Sequence, residues 1–227
     1  MEKEALVKFY MALGGAALAV GLLTATAMSG VTQRDSNAAL SVRRAEPFTR
    51  LTTMRIQPLE PSKWTQAHRD VATGRPTQVQ VCLHNLELCR KYWEFTTQLT
   101  THYTLPLRDK ELLILRTAYL SRGDYVWGRH STGTGRKAGI TDEELSRITR
   151  GPDAPGWSAF DATLVRTADE LHTSRFITDA TWKSLATRYN DAQLLEVIFV
   201  VGNYTTLTMY HNSVGLALEP GIKGLPD

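Results

Sequence analysis

Apolar residues recur along this chain at intervals of three and four, the spacing that gathers them on one face of an α-helix. One such run, over 158–172, holds Phe160, Leu164, Val165, Ala168 and Leu171. A second run, over 80–99, holds Cys82, Leu83, Leu86, Cys89, Trp93 and Phe95. No strand-like alternation extends beyond a few residues. The pattern therefore predicts an all-α fold of about seven or eight helices.

Polar residues that cap helix starts divide the apolar runs into separate helices. Ser62 follows Pro61 and is a candidate N-cap for the first helix of the domain. Thr141 and Glu144 have the spacing of a capping box. The last and longest helix is predicted over 191–218. Further N-caps are predicted at Asn85, Ser158, Thr178 and Asn190.

Two helices joined by a short turn at 121–123, within residues 106–139, hold the most unusual side chains. The first of them is apolar on nearly every side, which is typical of a helix in the middle of a core. Glu111 and Arg116 are exceptions, and an ionised side chain on a buried helix is costly unless it is paired or put to use. The second helix presents His130. Antiparallel packing across so short a turn would bring Glu111 and His130 together, which predicts an acid/base pair in apolar surroundings.

Composition and charge narrow the function classes. The chain of 227 residues is 42% apolar and 22% charged, as expected of a folded globular protein. A formal net charge of +3, with basic residues spread among acidic ones, predicts no nucleic-acid partner. His68, His102 and His172 have no metal-ligand spacing with any cysteine or carboxylate, so no metal site is predicted. Because no strand precedes a Gly-rich loop, no phosphate site and no cofactor are predicted.

The two cysteines, Cys82 and Cys89, lie on one predicted helix face. Within one straight helix their Cα atoms would lie about 10 Å apart, at a rise of about 1.5 Å per residue. This distance is beyond the reach of a disulfide bond. We therefore expect two unpaired thiols.

The N-terminal segment, residues 1–30, is predicted to be separate from the helical domain because it contains a long uncharged and apolar stretch. Residues 9–33 contain no charged side chain, and their apolar part is near the lower limit of about 18 residues for a membrane-spanning helix. It is long for the apolar part of a secretory signal. The sequence predicts a cleaved signal or an uncleaved anchor, with export or membrane association through residues 9–33. The alternative is a cytoplasmic protein whose first segment is a soluble appendage.

The rest of the chain divides into a linker, one compact domain and a short tail. The linker is predicted over 31–55, because this stretch lacks clear periodicity. The compact domain is predicted over 56–220, with a Pro- and Gly-rich loop at 151–156 inside it. Residues 221–227 are a C-terminal tail.

Seven short segments occur in an order that resembles the carboxymuconolactone decarboxylase family, which includes the AhpD-like alkylhydroperoxidase-type proteins. The segments are HNLELCRKYW at 84–93, LPLRDKELLILRTA at 105–118, DYVWGRH at 124–130, AGITDEELSRI at 138–148, GPDAPGW at 151–157, ADELH at 168–172 and VGNYTTLTMYHN at 201–212. The resemblance implies an AhpD-like helical domain with a central antiparallel helix pair. It also implies a homo-oligomer, either a trimer or a hexamer.

The resemblance also implies which residues form the site. The peroxidase branch of the family has a Cys-x-x-Cys pair at the start of the second helix, a His four residues after the second Cys, and a Glu on the preceding helix. Counted back from His130, the cysteine positions fall on Gly123 and Val126, and neither carries a thiol. Glu111 and His130 match the family's Glu and His. Because peroxide reduction requires a thiolate and a resolving thiol, the match implies a decarboxylase rather than a peroxidase.

The predicted function is a lyase reaction: thiol-independent decarboxylation, or a related proton transfer, on a small carboxylated cyclic compound. Such a reaction requires a general acid and donors that stabilise the developing enolate. Glu111 and His130 are the predicted catalytic pair. The predicted substrate-binding residues are Trp127, Tyr125, Arg116, Arg129 and Tyr204.

Three other interpretations stay open at this point. Glu111 can instead pair with Arg116, Arg108 or Arg129 and only hold the helices in register. The protein can be a non-catalytic helical oligomer or a ligand-binding protein. Alkylhydroperoxidase-type activity is the remaining alternative, and it would require Cys82 or Cys89 to lie near His130.

Overall fold

The computed structural model describes residues 50–226, which form helices and loops without a β-strand. The helices are α1 Gln66–Ala72, α2 Thr77–Cys82, α3 Leu86–Thr101, α4 Leu107–Leu120, α5 Asp124–Arg129, α6 Asp142–Arg150, α7 Ala159–Ser174, α8 Asp179–Leu185 and α9 Asp191–Val214. Short 3-10 turns lie at Pro61–Lys63 and Leu83–Asn85. A π-helical turn, His130–Thr134, and an α-helical turn, Gly135–Lys137, continue α5. The predicted all-α fold is confirmed.

Helix α4 lies at the centre of the core. Its residues Leu112, Leu113, Ile114 and Leu115 are all 0% exposed. The helix packs mainly against α7 and α9, with further contacts to α5 and α6. Burial of one such side chain contributes about 1.5–3 kcal/mol. Helix α4 therefore holds the surrounding helices together.

Most helix starts follow the polar signals in the sequence. The N-caps of α3, α6, α7, α8 and α9 are confirmed at Asn85, Thr141, Ser158, Thr178 and Asn190. The predicted cap at Ser62 is wrong. Ser62 lies within a 3-10 turn, and Thr65 caps α1 in a capping box with His68. The reason is a turn at Trp64, whose indole Nε1 donates to the Leu59 carbonyl at 2.8 Å and delays the helix start.

The helix predicted over 80–99 is divided into α2 and α3. Helix α2 ends at Cys82, and α3 begins after Asn85, whose side chain accepts a hydrogen bond from Leu88 N at 3.3 Å. Cys82 and Cys89 therefore do not share one straight helix. Both are free thiols, which confirms that expectation. The last helix also ends earlier than predicted, at Val214.

The predicted N-terminal segment and most of the linker lie outside the described residues, so export, anchoring and membrane association stay predictions. Among residues 50–226, none of the helices is both long enough and apolar enough to cross a bilayer. Both ends of the described chain pack onto the helices. Arg55 N donates to Val214 O at 2.8 Å, and Leu225 N donates to Asp124 Oδ1 at 2.9 Å.

Candidate active site

A short turn reverses the chain between α4 and α5 and sets these two helices against each other. The π-helical turn that follows α5 begins at His130. Such turns insert an extra residue into a helix and are frequent at functional sites. The predicted central helix pair is therefore present, and its second helix is distorted where His130 lies.

Glu111 and His130 face each other across this pair. His130 Nδ1 lies 2.8 Å from Glu111 Oε2, and Thr134 Oγ1 lies 3.1 Å from the same nitrogen. Glu111 is only 1% exposed, so its carboxylate requires a partner, and the imidazole supplies one. With Nδ1–H donating to the carboxylate, Nε2 is the nitrogen that remains for chemistry.

The arginines considered as partners of Glu111 pair with other carboxylates. Among residues 50–226, the pairs are Arg108 with Glu144 and Asp161, Arg116 with Asp169, and Arg129 with Glu219. The alternative in which Glu111 only pairs with an arginine is therefore wrong. Its partner is His130.

His130 lies in the wall of a cavity of about 540 Å³, a volume typical of small-molecule sites. The ring of Tyr204 contacts the His130 ring edge-on, with 5.1 Å between centroids. Burial, and then the Glu111 carboxylate, raise the pKa of Tyr204, so its hydroxyl keeps a proton. Helix α3 contributes Trp93, Thr96, Thr97 and Thr100 to the same wall, and α9 contributes Leu207 and His211 beside Tyr204.

The charged side chains in the cavity wall, apart from the titratable histidines, are all basic. They are Arg75, Arg129 and Lys137, and no aspartate or glutamate within residues 50–226 belongs to the wall. Charges of one sign along a cleft attract ligands of the opposite sign. The cavity is therefore suited to an anionic ligand.

Tyr125 and Arg129 lie in this wall and both bind Glu219. The Tyr125 hydroxyl donates to Glu219 Oε1 at 2.8 Å, and Arg129 Nη1 donates to Oε2 at 3.0 Å. Burial first, and the Glu219 carboxylate second, raise the pKa of Tyr125 well above its ordinary value. Tyr125 is therefore a neutral donor. The geometry shows that the two residues can bind one carboxylate together.

Arg116 and Trp127, two of the predicted substrate-binding residues, do not line the cavity, and this corrects their predicted place in the site. Arg116 binds both oxygens of Asp169, with Nε–Oδ1 at 2.5 Å and Nη2–Oδ2 at 3.0 Å. Its Nη1 donates to the carbonyls of Ile148 at 2.6 Å and Thr149 at 3.1 Å. Trp127 is buried on another side of α5 and lines a separate cavity of about 710 Å³. The physical reason is that both side chains connect helices: Arg116 pairs with Asp169 on α7, and Trp127 packs in the hydrophobic core.

The cysteines are also absent from the cavity wall. Cys82 is partly buried and Cys89 is buried. Interaction between the two thiols lowers the pKa of Cys82 and, together with burial, raises that of Cys89. Cys89 Sγ also donates to the Val79 carbonyl at 3.8 Å. The alternative that requires a thiol near His130 gains no support from this geometry.

Residues missing from the predicted site include His211, Glu219, Arg75 and Lys137. His211 follows Tyr204 by two helical turns, a spacing that could have indicated a shared face. It is buried, its ring lies 4.8 Å from that of Tyr125, and neither ring nitrogen has a hydrogen-bond partner within the described chain. No local pattern marks Arg75, which lines the cavity, or Glu219, which binds the wall residues Tyr125 and Arg129, because tertiary contacts bring both to this place.

Burial of His211 predicts an acid-sensitive fold. Burial lowers its pKa from 6.5 to about 3, whereas the unfolded chain takes up the proton near 6.5. Between these values the unfolded state binds more protons, so the free energy of unfolding falls as pH falls, by up to about 1.4 kcal/mol per pH unit.

Urea unfolding at several pH values tests this pH dependence, and we expect the His211→Phe variant to show a smaller change of the unfolding free energy with pH. The neighbouring Tyr125 and Tyr210, whose pKa values are raised, stay neutral throughout. Equal slopes in both proteins would contradict a neutral buried imidazole.

Comparison with known proteins gives one matching family and several solved structures with a similar fold. Residues 87–169 match the Carboxymuconolactone decarboxylase family. The apo debrominase Bmp8 has a TM-score of 0.60 at 11% identity, over 75% of this chain and 95% of that chain. The C82A variant of Bmp8, in complex with 2,3,4-tribromopyrrole, is similar to the same extent, with a TM-score of 0.60. No curated protein matches the chain in sequence.

Two further solved structures have a similar fold. The alkylhydroperoxidase AhpD core from Ralstonia eutropha JMP134, an uncharacterized peroxidase-related protein, has a TM-score of 0.55 at 13% identity, over 67% of this chain and 81% of that one. An uncharacterized peroxidase-related protein from Silicibacter sp. TM1040 has a TM-score of 0.57 at 14% identity, over 80% and 97%.

At identities this low, the solved structures show the fold alone. The family match adds the part of the chain that contains both Glu111 and His130. These findings confirm the resemblance seen in the sequence, including an AhpD-like helical fold. Residues 87–169 are therefore similar to the carboxymuconolactone decarboxylase family, and the chain has an AhpD-like fold without the Cys-x-x-Cys pair.

Proposed function

We propose that this protein is an enzyme that decarboxylates a small carboxylated ring compound, or moves a proton on one, without using a thiol. The observation that carries the proposal is the 2.8 Å contact between His130 Nδ1 and Glu111 Oε2 in the wall of a cavity. The family match supports the fold on which such chemistry occurs. The specific reaction is our proposal.

The acid/base pair is suited to protonating a carbanion. Loss of carbon dioxide from an unsaturated lactone acid breaks the bond between a ring carbon and the carboxyl carbon. The electron pair stays on the ring as an enolate, and a ring carbon must then gain a proton. Protonated His130 can donate this proton from Nε2, while Glu111 stabilises the imidazolium through Nδ1. The protonated hydroxyl of Tyr204 can donate a hydrogen bond to the enolate oxygen.

The basic wall is suited to the carboxylate of such a substrate. Tyr125 and Arg129 already bind one carboxylate, that of Glu219. Arg75 and Lys137 add positive charge around the cavity. Apolar surface from Leu207 and the other apolar wall residues would pack against the ring. A small ring compound with at least one carboxylate fits this combination of charge and volume.

The proposal is tested by turnover of an unsaturated lactone that carries a ring carboxylate. We expect release of carbon dioxide and, in deuterium oxide, incorporation of deuterium into the product. Both signals should persist after the thiols are blocked with N-ethylmaleimide. Binding without turnover would favour the alternative, a non-catalytic ligand-binding protein. Hydroperoxide reduction that is lost on blocking would favour a peroxidase.

An exposed apolar surface supports the predicted homo-oligomer. Leu195, Phe199 and Met209 on α9 are 54%, 51% and 57% exposed. Phe95 on α3 stacks edge-on with Phe199 at 5.9 Å between centroids and is itself exposed. Apolar side chains clustered in this way are typical of interfaces. We propose that this α3–α9 surface contacts other copies of the chain in a trimer or hexamer.

We expect Phe199→Asp to dissociate the oligomer, because a charge buried at an interface without a partner is strongly unfavourable. Light scattering after size-exclusion chromatography measures the mass directly. Phe176→Asp is the matched control, since Phe176 is 61% exposed but lies outside the α3–α9 surface. An unchanged mass for Phe199→Asp, or equal dissociation by both variants, would contradict this interface.

A further inference from the structure

The C-terminal segment, residues 215–226, lies on α5 beside the cavity. A Cβ on Gly128 would lie 2.5 Å from Ile222 Cγ2 and 2.7 Å from the Lys223 carbonyl oxygen, so the segment approaches the helix backbone closely. Leu225 N donates to Asp124 Oδ1 at 2.9 Å. Ile222 also belongs to the cavity wall. Displacement of this segment would therefore change the cavity itself.

Glu219 connects the segment to the binding residues. Its carboxylate accepts from the Tyr125 hydroxyl at 2.8 Å and from Arg129 Nη1 at 3.0 Å. The side chains of Arg129 and Glu219 are 47% and 31% exposed. An ion pair with this much solvent access is weak and can exchange. Both donors thus bind a carboxylate that belongs to the chain and can be replaced.

We propose that Glu219 competes with the ligand for Tyr125 and Arg129, so that a ligand carboxylate binds by displacing Glu219 and releasing the C-terminal segment. The inference rests on the proposed function in one respect, namely that the ligand carries a carboxylate. The exchange replaces one carboxylate by another. Neither the buried Tyr125 hydroxyl nor the Arg129 guanidinium loses its partner at the end of the exchange.

Competition of this kind lowers the apparent affinity for the ligand. If only a fraction of the molecules has Glu219 detached, the apparent dissociation constant rises by the inverse of that fraction. Two hydrogen bonds to a partly exposed carboxylate correspond to roughly a 5- to 30-fold preference for the attached state. Removal of the Glu219 charge should therefore tighten ligand binding by a factor in this range.

Calorimetric titration with furan-2-carboxylate, a stable ring carboxylate, tests the proposal. We expect Glu219→Gln to bind it roughly 5- to 30-fold more tightly than the unaltered protein. Furan-2-carboxamide, which has no charge, should bind both proteins equally. Asp153→Asn is the matched control, because it removes a carboxylate that pairs with Arg166 elsewhere and gives the same change in net charge. Equal or weaker binding by Glu219→Gln would overturn the proposal.

Amide hydrogen exchange supplies a second measurement that does not depend on a substitution. Saturation of the unaltered protein with furan-2-carboxylate should speed exchange in residues 216–226, including the Leu225 amide that donates to Asp124. Exchange in α4 should not change. Slower exchange in the segment would mean that it closes over the ligand, and this would also overturn the proposal.

A third variant separates failure of this proposal from failure of the proposed function. Arg129→Gln, introduced together with Glu219→Gln, should weaken binding of furan-2-carboxylate relative to Glu219→Gln alone, since it removes a donor that the ligand would use when no internal carboxylate competes for it. If the added Arg129→Gln weakens binding and Glu219→Gln alone leaves it unchanged, the carboxylate site stands and the competition is wrong. If the added Arg129→Gln has no effect on binding, the carboxylate site is wrong as well.

Discussion

Arg116→Ala is expected to lower the free energy of unfolding by about 3–5 kcal/mol, the usual effect of removing one partner of a buried ion pair. The Arg116 side chain is 8% exposed and binds Asp169 through two nitrogens. It also satisfies the carbonyls of Ile148 and Thr149 at the end of α6. The substitution would leave the partly buried carboxylate of Asp169, which is 26% exposed, and two carbonyls without this donor. Helices α4, α6 and α7 would lose their shared contact.

Chemical denaturation in urea measures this change. Arg166→Ala is the matched control, because the Arg166–Asp153 pair is exposed, at 41% and 91%, and such pairs contribute about 0–1 kcal/mol. A loss below about 1 kcal/mol for Arg116→Ala would mean that the Asp169 contact does not stabilise the fold. Binding of furan-2-carboxylate by the folded variant should be unchanged, since Arg116 lies outside the cavity wall.

Replacement of either member of the acid/base pair is expected to remove nearly all turnover. Proton transfer by a positioned side chain contributes about 10²–10⁴-fold to a rate. His130→Ala removes the group that donates the proton. Glu111→Gln keeps the shape of the side chain but no longer provides the negative charge that stabilises the imidazolium, so we expect a similar loss. Both variants should keep the helical circular dichroism signal and the oligomer mass of the unaltered protein.

The assay is the release of carbon dioxide from the carboxylated lactone. His102→Ala is the control for loss of a histidine, because His102 follows α3 and is not part of the cavity wall. It should keep full activity. Undiminished turnover in both His130→Ala and Glu111→Gln would remove the proton-transfer assignment. An equal loss of activity in His102→Ala would mean that the effect is not specific to the pair.

The helix pair and its acid/base contact could be predicted because they depend on short-range features of the sequence. A turn of three residues between two apolar helices leaves little choice of arrangement, so Glu111 and His130 meet. The N-caps at Thr141, Ser158 and Asn190 are equally local, since each cap accepts a hydrogen bond from a residue three positions later. These parts of the fold needed no knowledge of distant residues.

The sequence-based predictions are wrong or incomplete where residues far apart in the chain determine the structure. The sequence predicts Arg116 as a binding residue because a buried arginine requires a partner, but that partner is Asp169 on α7, far along the chain. The carboxylate at Tyr125 and Arg129 comes from Glu219, beyond the last helix. The apolar periodicity also predicts one continuous helix over 80–99, because apolar spacing alone does not reveal the 3-10 turn at Leu83–Asn85. Tertiary contacts, not local pattern, determine these features.

The π-helical turn at His130–Thr134 requires a residue without a side chain at position 135, and Gly135 occupies that position. The chain folds so tightly there that a methyl group at Gly135 would come within 2.6 Å of the His130 carbonyl oxygen. We expect any larger residue at this position to distort the turn in which His130 lies. The absence of a side chain at Gly135 therefore serves the backbone of the turn that holds His130 beside Glu111.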